Sequence, residues 1–396
     1  MRPIKFYKIL IEVIACLFFL VACQYEKPIK ETNVAEFSPN YDSIQVIITK
    51  DTIKLAVDST TSNRFAYFNC QQVGNDLIFA FLDLNKRFYH IYDLKKEKCL
   101  AKLDMRRLMV QNRNISSTKV FFKNFDSIYV YADMHIFLVD SLLTVRDSIK
   151  LLNRPFRAST FFINGKQPVF LSNVMYAPAF PTLDPRERKD RKKWRTMYKI
   201  DWSKHQSFLL HGITEEFVDS IYDKGLLSPF YSYDRKKQYF VFSLPADSSI
   251  EVTDFKSFAI KYPAGSKYIK GNTSSYLADD FKGSENSHKA LLQRNTYGQI
   301  YHDTFANYYL RVAEQKITDA NYISKRLIKD RSLIILDSQF KIVGESIIDH
   351  SVDIGSLLVT PRGIYAPVHR DAAEDTIYLV RLDYSYKPSK IQAAIK

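Results

Sequence analysis

Residues 88 to 100 read FYHIYDLKKEKCL: an apolar, aromatic run stops at Asp93, a charged turn follows, and a second apolar run begins at Cys99. The frame returns as IFLVDSLLTVRDSI at Asp140, MYKIDWSKHQSFLL at Asp201, SIEVTDFKSFAI at Asp254, LIILDSQFKIVGESI at Asp337 and IYLVRLDYSYKPSKI at Asp383. Each is a strand, an aspartate able to bond its own turn, and a return strand. The intervals of 47, 61, 53, 83 and 46 residues each hold about four short strands and their loops. The missing strands lie between frames, as FAYFNCQQ and DLIFAFL before Asp93 and TKVFFKN and DSIYVYA before Asp140. Four-stranded units set radially leave only short, protected edges, so the expected fold is all-β, a six-bladed β-propeller with four-stranded blades. Aspartate ends strands in any β protein, so on this frame alone a sandwich pair or a solenoid stays open.

The 26 Tyr and 28 Phe stand against only 11 Gly, so strand formers abound and turns must be made with Asp, Asn and Lys. WD, kelch, Asp-box and Gly-rich signatures are absent. A ring also needs closing. Residues 44 to 57, IQVIITKDTIKLAV, hold two strands without a blade, and these are expected to pair with the C-terminal blade.

The N-terminus, MRPIKFYKILIEVIACLFFLVAC, places Arg2, Lys5 and Lys8 before a short apolar stretch, the layout of a cleaved signal. Its end, Leu20-Val21-Ala22-Cys23, resembles the lipobox of bacterial lipoproteins. The resemblance implies a signal peptide over 1–22, lipidation of Cys23, and a chain anchored to a membrane rather than spanning it. Gln24 in place of Asp implies an outer-membrane address, facing periplasm or cell surface. Residues 23–40 read as a lipidated tether and 41–396 as one propeller domain. Lipobox, tether and repeated frame together resemble a group of uncharacterised six-bladed-propeller-like lipoproteins of Gram-negative gut commensals. That group has no agreed activity to carry over.

The formal net charge is +14. An exported protein rarely meets nucleic acid, so an anionic glycan, a lipid headgroup or an envelope protein is the expected partner. After processing, only Cys70 and Cys99 could pair. They fall in the innermost and outermost strands of one unit, about 14 Å apart at ~4.8 Å per strand. A disulfide needs Cα atoms within about 7 Å, so free thiols are expected.

With strands named A to D from the axis outward, the A–B and C–D turns lie at one end and the B–C and D–A connections at the other. The first set is short: QQVGND, NFDS, NGKQ, DRKK and the six aspartate turns. The second holds the insertions, 104–114, 153–157, 173–195, 212–225, 263–296 and 315–331, some of them helical, and such loops on a rigid scaffold are where binding resides. Thr214 is placed to cap one helix ending at Gly225, and Ile317, Tyr322, Ile323, Leu327 and Ile328 form a weaker stripe on another.

RERKDRKKWR, with Arg186, Arg188, Trp194 and Arg195, reads either as a solvated loop or as an anion contact. Arg106, Arg107, Arg113, Arg154 and Arg157 fall at the same end, as do the acid–base candidates His211, His350 and His369 with Arg370. None has a recognised metal-ligand spacing, and no G-x-S-x-G, H-E-x-x-H, C-x-x-C or phosphate loop occurs, so no cofactor or metal is expected. His302 and Asp303 fall on the short-turn side and are set aside. The expected function is a non-catalytic binding or scaffolding module, with a hydrolase or lactonase at the channel mouth as the alternative.

Overall fold

The computed structural model describes residues 31–33, 37–61, 66–110, 113–114, 119–151, 156–368 and 375–386. The first long strand, β1 (Ile44–Ala56), finds its partner only at the end of the chain. Four antiparallel meanders follow it. They are β2 to β5 (Ala66–Val73, Asp76–Asp83, Phe88–Asp93, Lys98–Asp104), β6 to β9 (Lys119–Asn124, Ser127–Ala132, His135–Val139, Val145–Lys150), β10 to β13 (Val169–Leu171, Val174–Pro178, Met197–Asp201, Gln206–Leu210) and β14 to β17 (Phe230–Asp234, Tyr239–Ser243, Ser249–Thr253, Ala259–Pro263). Glu31–Asn33 adds a parallel strand outside β17. The rest are β18 to β21 (Thr296–Asp303, Tyr308–Glu314, Arg331–Leu336, Ile342–Ile348) and β22 to β24 (Leu358–Thr360, Gly363–Val368, Thr376–Tyr386). With β1 they form one eight-stranded sheet, ordered β18-β19-β20-β21-β1-β24-β23-β22.

Hydrogen bonding therefore gives four separate sheets, each built on a four-stranded meander, rather than the six separate blades expected. The cause is local. β1 and β21 meet in parallel at the single pair Ile44–Gly344, where a Cβ on residue 344 would collide with the Ile44 carbonyl. Only glycine permits that approach.

The alternation that builds these strands puts apolar side chains on both faces of each sheet, and clusters fill every gap. Ile78, Ala80 and Ile91 meet Val120, Phe122 and Val130 between the first and second sheets. Further clusters join the second sheet to the third, the third to the fourth, and the fourth to β18–β21. Leu310, Val312 and Leu333 pack on Ile364, Ala366 and Val380 between the halves of the eight-stranded sheet. Leu55, Leu379 and Tyr365 then meet Phe79, Phe81 and Tyr92, returning to the start. The arrangement is a propeller-like ring. Its first strands touch in turn, β2 with β6, β14 with β18, β18 with β22 and β22 with β2, around a common axis.

Closure occurs where expected, with a difference in detail. β1 pairs with β24 from Ile44–Tyr386 to Ala56–Thr376, as one strand with a register shift between Ile48 and Thr52 rather than as two strands. Two extra residues of β1, accommodated as a bulge between Ile48 and Thr52, keep both arms in one ladder. Arg311 of β19 ties the fourth sheet to the next. It donates to Ser243 Oγ (2.9 Å) and to the carbonyls of Ser248 (2.8 Å), Ala264 (3.0 Å) and Asp247 (2.6 Å), and its guanidinium lies 4.1 Å over the Tyr297 ring.

The recurring aspartate has a common task. Asp93 accepts the N–H groups of Lys95 and Lys96, Asp140 those of Leu142 and Thr144, Asp201 those of Ser203 and Lys204, Asp254 those of Lys256 and Ser257, and Asp337 those of Gln339 and Lys341, all between 2.8 and 3.2 Å. Each turn contains a non-glycine residue at positive φ: Glu97 (52°), Leu143 (62°), His205 (50°), Phe255 (61°) and Phe340 (63°). That conformation costs roughly 1–2 kcal/mol. Two side chain to backbone bonds at about 0.5–1.5 kcal/mol each offset it, which is how a chain poor in glycine turns so often. Asp83, Asp234 and Asp303 close three further turns in the same way.

Two expectations are corrected. Asp383 lies inside β24 opposite Ile47, bonded to Arg381 at 2.9 Å, because β1 supplies the outer strand and no turn is needed. In the third unit NGKQ is not the inner hairpin turn. Ser172 and Asn173 link β10 to β11, with Ser172 at φ 53°, and NGKQ turns ahead of β10 through the Ile163–Lys166 bridge. Cys70 and Cys99 are free thiols at opposite ends of the register Cys70–Phe79–Tyr92–Cys99. Among the described residues no helix is long and apolar enough to cross a membrane.

Candidate functional site

The strand order sends the B–C and D–A connections to one end, and three of them fold together there. Segments 179–196, 211–229 and 264–295 carry α1 (Arg188–Arg191), α2 (Glu215–Asp219) and α3 (Ser284–Leu292) around an apolar cluster of their own: Trp194, Phe217, Tyr222, Leu227, Tyr276 and Ala290. This is a packed cap. Thr214 stands at the N-cap of α2 with no side-chain cap bond, and the helix ends at Asp219, well short of Gly225. The second stripe yields one helical turn, α4 (Asp319–Ile323), with Ile317 buried and Ile323 and Ile328 exposed.

The cap sorts the basic segment. Trp194 is buried, and Arg191 turns inward to the carbonyls of Val218 and Pro185, both at 2.7 Å. Arg186 pairs with Asp184 and Arg188 with Asp219, each at 2.7 Å, and Arg195 donates to the Trp194 carbonyl. Arg186 holds the Asp184 carboxyl down at about 2. Lys189, Lys192 and Lys193 remain exposed. Arg106 and Arg107 share Asp104, and Arg157 is exposed with its carbonyl bonded to Thr182. Arg113 lies in a short strand, Arg113–Asn114, paired with Met109–Val110. Cys23, Arg154, His369 and Arg370 lie outside the described residues. Exposed pairs of this kind stabilise by about 0–1 kcal/mol, so they shape the field more than the fold.

The histidines do not converge. His350 faces Asp330 at 3.1 Å on the surface. His211 stacks on Phe242 and links Thr196 Oγ1 (2.6 Å to Nδ1) with Glu251 Oε1 (2.9 Å to Nε2). Lys261 and Asp247 line the same pocket, whose volume of about 30 Å³ suits a water. A hydroxyl–imidazole–carboxylate chain can relay a proton. Among the described residues no three His, Cys, Asp or Glu side chains gather to hold a metal ion.

The larger cavity lies where the inner strands converge. It measures about 250 Å³ and is lined from β2, β10, β14, β18 and β22 and from the NGKQ turn. Its lining contains no Asp or Glu. Arg235, exposed in the turn after β14, is its one cation and has no ion-pair partner among the described residues. Ser232 Oγ, Asn164 Oδ1 and both ring nitrogens of His302 are buried without a hydrogen bond. His302 stacks on Tyr309, its Nε2 3.8 Å from Asp234, and burial holds its pKa below the ordinary value against the pull of that carboxylate. Next to the cavity, Lys166 turns away from it. Its ammonium sits 4.3 Å over the Phe230 ring and donates to Ser228, and burial pushes its pKa down to about 7. Gly165 (φ 69°) is needed there, since a Cβ would strike Gln299 and Phe230.

Sequence reasoning set His302 aside and passed over Ser232 and Arg235. The available signal was a polar residue interrupting an inner strand, as in FYSYDR and IYHD.

No curated protein matches the chain. Among solved structures, a DUF4221 member from Bacteroides vulgatus ATCC 8482 is 14% identical and aligns over 88% of this chain and 100% of that one, with a TM-score of 0.73. A protein from Bacteroides fragilis NCTC 9343, named as a candidate exported protein, is 12% identical over 90% and 99%, with a TM-score of 0.51. These likenesses concern the fold. The model of the family described as a domain of unknown function (DUF4221) matches residues 43–347, most of the chain, which therefore belongs to that family.

Proposed function

We propose that the protein is a six-bladed propeller, held at the cell envelope by a lipid on Cys23, that acts as a binding or scaffolding module through its capped end. Counting the eight-stranded sheet as two blades is supported by the short seam between its halves, where the ladder has the one registered pair Ile44–Gly344, and by the apolar cluster between them. The division into signal (1–22), tether (23–40) and body (41–396) is supported by the lipobox-like Leu20–Cys23 and by β1 beginning only at Ile44. The observation that carries the binding role is the cap. Three insertions share one apolar cluster at one end, and one of them, 179–196, displays Lys189, Lys192 and Lys193, which suits an anionic glycan, headgroup or envelope protein.

Lys→Glu changes at these three positions should cut binding to a sulfated glycan or to phosphatidylglycerol vesicles, and more so at low salt. The same change at Lys95 and Lys96, at the opposite end, should not. Equal effects from both sets would sink the reading. A hydrolase is the second reading, supported by the Thr196–His211–Glu251 chain. It requires hydrolysis of an ester or lactone substrate that His211→Ala abolishes.

A further inference from the structure

We propose that the axial cavity is a second binding site, for one monosaccharide-sized polyhydroxylated acid whose carboxylate is taken by Arg235. Size sets the first bound. About 250 Å³ is many times the ~10–15 Å³ that a single water requires by the same measure, enough for a single sugar ring.

Charge sets the second. The lining offers one unpaired guanidinium and no carboxylate, so an anion is favoured and a metal ion or amine is not. The planar fork of Arg235 matches a carboxylate in two parallel bonds, while a phosphate dianion would leave half its charge unmatched.

Hydrogen bonding sets the third. Among the lining residues, the Ser232 hydroxyl, the Asn164 side-chain carbonyl and the His302 ring nitrogens have no hydrogen-bond partner and lie just beneath the cavity wall, where an occupant engages them by a change of side-chain rotamer. A buried polar group without a partner calls for an occupant that supplies one. Donors and acceptors are mixed here, and a hydroxyl serves both. Neighbouring groups are already committed, Tyr231 to the Gln167 carbonyl at 2.7 Å and Gln167 to Phe68 at 3.0 Å, so the walls are fixed before a ligand arrives. Ile300, Leu358 and Val359 supply apolar surface for the C–H faces of a ring.

The site stands apart from the capped end, because Arg235 and Thr304 belong to turns at the other end of the ring. It is tested on the full chain in detergent, titrated calorimetrically with D-glucuronate, D-galacturonate and D-glucose, with thermal melting as a second readout. At least one uronate should bind and raise Tm, with glucose weaker by roughly tenfold. Arg235→Gln, a change in an exposed turn, should bring the uronate down to the level of glucose and leave glucose unchanged. Ser232→Ala should weaken both sugars together. No uronate binding at about 10 mM, or an uronate preference that survives Arg235→Gln, overturns the proposal. Loss of sulfated-glycan binding by the Lys189, Lys192 and Lys193 variant would leave these titrations untouched, so failure of one site is distinguishable from failure of the other.

Discussion

The two ends of the ring are built on different principles. At one, each turn is a few residues long and most are held by an aspartate of their own, whose carboxylate bonds backbone N–H groups two to four positions ahead. At the other, segments up to about a hundred residues apart in the chain meet over Trp194, Phe217 and Tyr276. Local bonds make the first end a set of independent units, whereas a shared apolar cluster makes the second a single body. A ring can thus carry a large insertion at one end without disturbing register, because register is fixed at the other.

The largest effect should come from removing what both ends depend on. A chain that begins at Ser59 lacks β1, exposes β24 and the Leu379 side of the closing cluster, and should lose hydrogen-exchange protection at both ends together. Protection retained at either end would mean that the ring holds without its closing strand. Next comes the cap alone. Trp194→Ala should destabilise by about 3–5 kcal/mol and speed exchange in 179–196, 211–229 and 264–295 while the aspartate turns keep their protection. Uniform loss across the molecule would make cap and ring one cooperative unit and erase the contrast.

A single turn should matter less. Asp254→Ala removes bonds to Lys256, Ser257 and Phe258 and should cost about 1 kcal/mol, and combined with Asp93→Ala the two losses should add. Denaturant midpoints of the single and double variants check this, and a strong departure from additivity would argue against independent turns. Acid gives the smallest and most diffuse effect. Asp254 sits near 2 and Asp93 and Asp234 are also lowered, in each case because hydrogen bonds to the carboxylate outweigh burial. A depressed folded pKa gives stability that is complete above the unfolded value near 3.9 and fades as pH falls through the folded one. Protection factors at the Asp254 turn should therefore drop between about pH 4 and pH 2, those at the Asp93 and Asp234 turns should fall in the same direction, and the cap cluster should follow only around Asp184, the carboxyl that Arg186 holds down.

The same division explains what could be read from the sequence. An aspartate followed by its own turn is a local signal, so Asp93, Asp140, Asp201, Asp254 and Asp337 were legible, as was the pairing of residues 44–56 with the far end of the chain. Asp383 misled because its surroundings look local while its partner, β1, is more than three hundred residues away. NGKQ misled for a similar reason: the chain spends it on seating Lys166 among aromatic rings, and the inner hairpin moves to Ser172–Asn173. The charged run 186–195 announced itself as a surface, yet Trp194 and Arg191 point inward, since only the folded cap reveals which side is covered. His302 and Ser232 lay on inner strands whose convergence no local pattern encodes.

β1 enters the ring from the end that carries the aspartate turns: Ile44 pairs with Tyr386, the Asn40 N–H bonds the Ile342 carbonyl beside the Asp337 turn, and Phe37 lies under Lys341. Glu31–Asn33 is already paired with the start of β17, beside the Asp254 turn, so from Cys23 the chain can stretch to roughly 27 Å at ~3.4 Å per residue before it meets the body, and an acyl anchor would act as a mooring line made fast to the hull side of the ring. The cap would then ride outward, facing whatever drifts past, and the arginine at the cavity mouth would look back toward the lipid and sample only what diffuses into the gap beneath.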